Sequence, residues 1–293
     1  MAIYTCMGKF PGDKLSQTEK EKRLYHYTTF DTFVKIWLSK RLKFSGVTNV
    51  NDIQEAESIS TAANNWNQIA VVYAYNQIRK EYKQISFTMD FDSYMQGSMS
   101  PMLWGHYGDK RRGVCIEFDK SKLNIPKSCF AHQIAYKKYL NKNRLIDNSV
   151  STIKQIHSYI KRNKKDIFFT KQLCWKGENE YRIISRDNEY LDIGDAITAV
   201  YLTSYNSPEC LLVEQLVGGA IPVKYLHYIP SAKKGLAIPV LSETKKTREQ
   251  MEGIPTKNSY DWLNIAKEKF DSCRKDENAS LIVDETLLWQ QKN

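Results

Sequence analysis

Short β-rich runs are mixed with helical runs along this chain, and the two do not alternate regularly. A doubly wound parallel sheet needs regular strand–helix alternation, so the pattern favours an α+β fold with helices flanking a β core. Predicted strands cover 24–27, 42–44, 85–88, 113–118, 134–139, 180–185, 196–203, 225–229 and 235–240. Predicted helices cover 30–37, 55–81, 102–107, 148–164 and 211–216.

The expected domain organisation is one large unit followed by a short appendage. With 293 residues, 42% of them hydrophobic, the chain can bury a sizeable core. Residues 1–241 are predicted to form a single α+β domain. The following stretch, 242–261, is polar and contains Gly253 and Pro255. Residues 242–293 are therefore predicted to form a helical appendage, with a helix at 260–270.

Several features predict a cytoplasmic protein. No apolar run approaches the ~20 residues that span a bilayer, and the first residues do not resemble a signal peptide. The six cysteines are scattered without a Cys-x-x-Cys pair, which argues against both a disulfide framework and a zinc site. We therefore expect no membrane partner, no metal, and cysteines that pack as small hydrophobic residues.

Positive charge is concentrated in residues 137–171. This segment holds ten Lys or Arg against two Asp, in a chain whose net charge is +10. Isoleucines at helical spacing predict an amphipathic helix with a basic outer face. Two interpretations stay open, a nucleic-acid contact surface and a solvated face that aids solubility. The candidate nucleic-acid contacts are Lys154, Lys161, Arg162, Lys164 and Lys165.

The common nucleotide and hydrolase motifs are missing. Neither glycine-rich phosphate loop is present, nor is a Gly-x-Ser-x-Gly elbow. Chemistry is instead expected at polar residues embedded among aromatic ones. The first cluster is Tyr25-His26-Tyr27-Thr28, where His26 offers a hydrogen bond beside flat rings. Taken by itself, this stretch favours the interpretation of His26 as a core histidine bonded to backbone.

Two further clusters share this character. In Ser86-Phe87-Thr88, alternation places both hydroxyls on the side opposite Phe87. In the stretch from Glu178 to Arg182, the two glutamates and the arginine alternate and would share one face of a strand. That arrangement is often a surface ion-pair ladder. In a cleft, the same carboxylates can face developing positive charge while Arg182 orients one of them.

Together these clusters resemble a known family, domain of unknown function 2971, over roughly residues 24–203. Ile53 departs from the pattern, because that family has proline after Asn-Asp. The resemblance rests on the order of the following motifs: Tyr25-His26-Tyr27-Thr28; Asn51-Asp52 with Glu55; Ser86-Phe87-Thr88; Leu103-Trp104-Gly105-His106-Tyr107 with Gly113–Phe118; and Lys171 with Trp175, Glu178, Glu180 and Arg182.

More distantly, the order of a His-x-Thr strand, a Ser-x-Thr strand and a late Glu is similar to the ADP-ribosyltransferase fold. That resemblance implies a split β-sheet that clasps NAD without a glycine loop. It implies that His26 binds a ribose hydroxyl or the nicotinamide amide, and that Tyr27 or a nearby tyrosine stacks on nicotinamide. It also implies that Glu180 stabilises the oxocarbenium-like sugar. Glu178 would orient the acceptor. The remaining NAD contacts would be Tyr25, Thr28, Ser86, Thr88, Trp104 and Arg182.

The leading hypothesis is an NAD-consuming ADP-ribosyltransferase, or an NAD hydrolase if no acceptor binds. By analogy with the fold's relatives, such a protein would be a toxin or a phage-defence effector that modifies nucleic acid or protein. A second hypothesis is a non-catalytic module of a defence system that binds or senses nucleic acid through the basic segment. A nuclease is a third hypothesis, disfavoured because no Asp/Glu metal cluster is evident in the sequence.

Overall fold

A computed structural model describes residues 22–48, 50, 52, 66–91, 95–139, 146, 149–203, 208–231 and 236–243, with the backbone alone for 66–68, 208 and 227–243. All of these residues belong to one compact unit. Several predictions fall outside them: the loop residues Asn51 and Glu55, the first part of the helix predicted at 55–81, and all but the first two residues of the appendage.

The described residues form a mixed set of helices and strands, which confirms the α+β class. The helices are α1 (Phe30–Ser39), α2 (Trp66–Lys80), α3 (Pro101–His106), α4 (Ile153–Arg162), α5 (Lys164–Phe168) and α6 (Pro208–Val217). The strands are β1 (Arg23–Thr28), β2 (Arg41–Lys43), β3 (Ser45–Gly46), β4 (Lys83–Thr88), β5 (Val114–Asp119), β6 (Phe130–Gln133), β7 (Ala135–Lys137), β8 (Thr170–Gln172), β9 (Glu180–Ser185), β10 (Tyr190–Asp192), β11 (Ile197–Leu202), β12 (Val223–Ser231) and β13 (Leu236–Glu243).

Local signals in the sequence explain where two of these helices begin. The Thr29 side chain accepts a hydrogen bond from Thr32 N and caps α1. Ser100 caps α3 in the same way, and Pro101 occupies its first turn. Among the described helices, none is both long enough and apolar enough to cross a membrane.

The main sheet divides between β1 and β4. Its strand order is β13-β12-β11-β5-β1-β4-β9-β6, with β3 beside β4. β1 pairs with β5 along its whole length, and β4 pairs with β9 along its whole length. Between β1 and β4 the paired residues are Tyr25 and Thr88 alone. The strands therefore fall into two half-sheets, β13 to β1 and β4 to β6, that touch at one point and diverge beyond it.

One hydrophobic core serves both half-sheets. Val114, Ile116 and Phe118 of β5 point into it, as alternation along a strand predicts. There they meet Phe87 of β4 and the apolar side of α1. The rings of Phe87 and Phe118 lie 5.6 Å apart. Separate clusters cover the opposite faces: α3 packs on the first half-sheet, and α2, α4 and α5 pack on the second.

Three of the predictions require correction. In α2, the spacing of apolar residues predicts that Ile69 and Tyr73 are buried. Both are exposed, and Tyr75 and Ile78 are buried in their place. This helix carries large apolar residues on several sides, so spacing did not identify the packed side. Ile153, at the first turn of α4, is 63% exposed because the helix contacts its neighbours further along. The strand predicted at 134–139 is shorter, because β7 covers Ala135–Lys137, and the preceding strand β6 was not predicted.

Gly113 holds β5 close to the end of β1, and this supplies a test of the fold. A Cβ atom at Gly113 would lie 2.2 Å from the backbone oxygen of Thr28. Because the backbone cannot move aside without strain, Gly113→Ala is expected to lower the free energy of unfolding, measured in urea, by about 1–3 kcal/mol. In the matched control, Gly105→Ala in α3, the new methyl meets nothing within 4 Å. Alanine favours helix there, so stability should rise by up to about 1 kcal/mol. Equal stability of the two variants would contradict this packing.

Candidate functional site

A cleft of about 1090 Å³ opens where the two half-sheets diverge. Its inner wall is formed by β1, by the residues of β4 that face β1, and by Glu180 at the start of β9 together with Glu178 just before that strand. Its outer wall is formed by one side of α1, by β2 and by Tyr190 of β10. The volume matches the upper end of ligand cavities, about 300–1,000 Å³, and leaves room for a dinucleotide.

His26 lies at the point of divergence and bridges the two half-sheets. Its Nδ1 is 3.0 Å from the backbone oxygen of Ser86. A carbonyl oxygen accepts hydrogen bonds and cannot donate them, so Nδ1 must carry the hydrogen. Burial lowers the pKa of His26, and the bond to Ser86 offsets only part of that effect. The neutral ring therefore keeps an unprotonated Nε2 that can accept a hydrogen bond from a ligand in the cleft.

A buried network of two acids and two cations forms the floor of the cleft. Lys171 of β8 donates to Glu178 at 2.6 Å and lies 3.0 Å from Glu180. Arg182 donates through Nε and Nη2 to the two oxygens of Glu180, at 2.7 and 2.9 Å. Its Nη1 bonds the carbonyl of Phe168 in α5. Each of the four residues is at most 5% exposed, so this is not the surface ion-pair ladder considered above.

The two glutamates reach this network from different local structures. Glu180 and Arg182 alternate on one face of β9, as predicted. Glu178, in contrast, ends a 3-10 helix over Leu173–Glu178, and Asn179 follows it in the left-handed region at φ 43°. That turn directs Glu178 towards Lys171, so the predicted regular strand through 178 is wrong, although the three side chains do converge.

Opposing effects set the ionisation of Glu180. Burial alone would raise the pKa of this carboxyl, but Arg182 and Lys171, with hydrogen bonds from Arg182 and Ser86, hold it at about 2. Glu180 is therefore a carboxylate at neutral pH. The nearby Tyr107 hydroxyl donates to Glu178 at 2.5 Å, and burial together with that glutamate raises the pKa of Tyr107.

The structure brings most of the predicted site residues to this one cleft. Its walls include Tyr25, His26, Tyr27, Thr28, Ser86, Thr88, Glu178 and Glu180. Arg182 lies behind Glu180 rather than in the wall. Trp104 lies in the core under the first half-sheet, where it is 1% exposed and its indole donates to the Ser98 carbonyl. Trp104 is thus placed to support the wall rather than to contact a ligand.

The tyrosines beside His26 are packed in the core. Strand alternation turns their side chains to the opposite face from His26. The ring of Tyr27 lies 5.1 Å from that of Trp104, and its hydroxyl donates to the Gly97 carbonyl. Tyr25 packs edge-on to Tyr201. In this arrangement neither ring is presented for stacking, and the exposed aromatic ring that lines the cleft is that of Tyr190.

Two cleft residues, Lys171 and Tyr107, received no individual role from the sequence. Both belong to the motifs that carry the family resemblance, which is the signal that could have marked them. Tyr136 was likewise missed; its hydroxyl accepts from the backbone N–H of Glu180 at 2.8 Å. Within the part of the chain that the structure describes, no group of three or more His, Cys, Asp or Glu is arranged to hold a metal ion.

The predicted basic face is present on α4 and α5. Lys154, Lys161, Arg162 and Lys165 are exposed, and Ile156, Tyr159 and Ile160 pack on the protein side. Lys164 is half-buried, with its Nζ 4.1 Å from the ring centroid of Phe130. The four exposed cations are therefore accessible to a partner, but their exposure does not identify that partner.

Comparison with known proteins adds one match. The family described as "Protein of unknown function (DUF2971)" matches residues 103–183. This stretch contains Tyr107, Lys171 and the glutamates of the floor, so the match supports the resemblance for the carboxylate side of the cleft. No curated protein and no solved structure matches the chain.

The low pKa of Glu180 predicts a specific pH dependence of stability. A carboxyl whose pKa falls from 4.5 when unfolded to about 2 when folded stabilises the protein above pH 4.5, by about 3 kcal/mol. That contribution is lost as the pH falls from 4.5 towards 2. Glu180→Gln lacks it, so the urea midpoints of wild type and variant should converge between pH 6 and pH 3. The exposed control Glu189→Gln should run parallel to wild type. A constant gap between wild type and Glu180→Gln would contradict the assignment.

Proposed function

We propose that this protein consumes NAD as an ADP-ribosyltransferase, or as an NAD hydrolase when water replaces the acceptor. The observation that carries the proposal is the single cleft between two diverging half-sheets that gathers His26, Ser86 and the paired glutamates. A split sheet of this kind is what the ADP-ribosyltransferase resemblance implied. The proposed setting is a toxin or a phage-defence effector, with nucleic acid or protein as the acceptor.

The polar groups of the inner cleft suit a ribose. Nε2 of neutral His26 accepts a hydrogen bond from a hydroxyl or an amide N–H. Each oxygen of Glu178 has one described donor, Tyr107 or Lys171, and so keeps a lone pair for a further hydroxyl. Vicinal hydroxyls of a sugar could therefore donate to acceptors already fixed in place.

The reaction requires negative groups beside the sugar carbon. As the glycosidic bond to nicotinamide breaks, its electron pair leaves with the nicotinamide, and positive charge develops on the ribose. A fixed carboxylate stabilises that charge without having to reorganise. The acceptor then bonds to the same carbon and loses a proton to solvent. Arg182 and Lys171 are proposed to keep Glu180 ionised and oriented.

Release of labelled nicotinamide from NAD tests this proposal. Wild type should release it, and Glu178→Gln and Glu180→Gln should each lower the rate by about 10²-fold or more, because a fixed charge at the reacting sugar is lost. Glu189→Gln, a matched change at an exposed glutamate, should retain the wild-type rate. Thermal unfolding of each variant checks that it is folded. Glu178→Gln is the variant more certain to fold, because its amide oxygen still accepts a hydrogen bond from Tyr107. Absence of release with every acceptor, or full activity in both cleft variants, would overturn the proposal.

A second candidate function, nucleic-acid binding without catalysis, is favoured by the exposed basic face of α4 and α5. Binding through phosphate contacts weakens steeply with salt. Replacing Lys154, Lys161, Arg162 and Lys165 by Ala should lower affinity for a labelled oligonucleotide and reduce the slope of log affinity against log salt by up to about four. The matched control replaces the exposed Lys22, Lys80, Lys122 and Lys127. Equal losses in both variants would indicate a general charge effect and contradict a defined surface.

A further inference from the structure

The outer wall of the cleft carries three cations. Lys35 lies on the side of α1 that lines the cleft, in a stripe with Thr32, Ile36 and Ser39 at helical spacing. Arg41 and Lys43 follow on β2, where alternation puts both on the exposed face while Leu42 points into the core. Two adjacent elements thus direct positive charge to the same side of one cavity.

These three cations have no acidic partner among the described residues. Asp192 is opposite Arg41 in the β2–β10 register, but its carboxylate accepts from Gly194 N and makes no described ion pair with Arg41. Asp31 lies one turn before Lys35 on α1, also without a described ion pair. The inner cleft differs, because there two carboxylates balance two cations. Counting the described residues alone, the outer end of the cleft therefore carries three cations that no described ion pair compensates.

Two exposed apolar side chains lie beside these cations. Tyr190 is 48% exposed and Leu38 is 69% exposed, and both line the cleft. Tyr190 is directly opposite Lys43 in the register of β2 and β10, so their side chains share one face. An exposed aromatic ring next to phosphate-binding cations is an arrangement that holds a stacked base and its phosphates.

We infer that the outer half of the cleft is a subsite for a nucleoside diphosphate, with Lys35, Arg41 and Lys43 on the phosphates and Tyr190 against the base. Its orientation rests on the proposed function: the adenosine diphosphate half of NAD lies outside, and the nicotinamide ribose lies inside against His26 and the glutamates. In this subsite the side chains of the three cations bind the phosphates, a task that a glycine-rich loop performs in other nucleotide sites.

Binding of ADP, pyrophosphate and adenosine to the full chain tests the subsite without requiring turnover. In titration calorimetry, Lys35→Ala/Arg41→Ala should weaken ADP and pyrophosphate by about fivefold for each cation removed. Tyr190→Ala should weaken ADP and adenosine by about tenfold and leave pyrophosphate unchanged. The control Lys122→Ala/Lys127→Ala removes the same charge outside the cleft and should stay within about twofold of wild type. Lys43→Gln provides a single substitution if the double variant does not fold.

The outcomes separate this inference from the proposed function. ADP binding with the expected pattern, without nicotinamide release, would retain the subsite and reject the enzyme. Nicotinamide release with ADP affinity unchanged in the cation variants would reject the subsite and retain the enzyme. Equal losses in the surface control, or a site that binds a single-stranded oligonucleotide but not ADP, would also overturn the subsite.

Discussion

The hydrogen bond between His26 and the backbone of Ser86 is the interaction on which the cleft depends. Where two strands separate, their backbone groups lose ladder partners, and a buried group left unpaired costs about 1–3 kcal/mol. The imidazole of His26 satisfies the Ser86 carbonyl at the place where β1 and β4 stop pairing. The structural task of His26 therefore does not exclude ligand binding, because that task uses only Nδ1.

The floor of the cleft follows a similar logic. Two buried carboxylates would each be strongly destabilising without partners, and so would two buried cations. Together, Lys171, Glu178, Glu180 and Arg182 have a net charge of zero and satisfy one another. Removal of any one would leave an uncompensated charge, which is why such networks are sensitive to single substitutions. The two cations keep Glu180 ionised although it is buried, and the hydrogen bonds from Arg182 hold its carboxylate in place.

Local sequence patterns predicted most of the helices and strands, but not which side chains contact each other in the folded protein. The cap at Thr29, the proline at 101 and the alternation in 114–118 act over a few residues, so the sequence reveals them directly. The approach of Lys171 to Glu178 and of His26 to Ser86 depends on tertiary packing, to which periodicity is blind. Tyr27 is a different kind of error. A tyrosine beside a candidate histidine suggested a stacking surface, but strand alternation already separates their side chains, and Tyr27 packs against Trp104. The exposed ring, Tyr190, lies in a short strand that the sequence did not reveal.

The distribution of charge along the cleft gives its ligand a direction. The inner end is neutral overall and offers fixed acceptors, whereas the outer end is positive and offers donors. A molecule with an anionic diphosphate at one end and an uncharged or cationic ring at the other would be favoured in one orientation and disfavoured in the reverse one. NAD has this polarity, since its nicotinamide ring is cationic and its diphosphate is anionic. The reversed orientation would place the phosphates at the neutral inner end, away from the three outer cations. Selection of one orientation thus follows from how the two ends of the cleft balance their charges, independently of the shape of its walls.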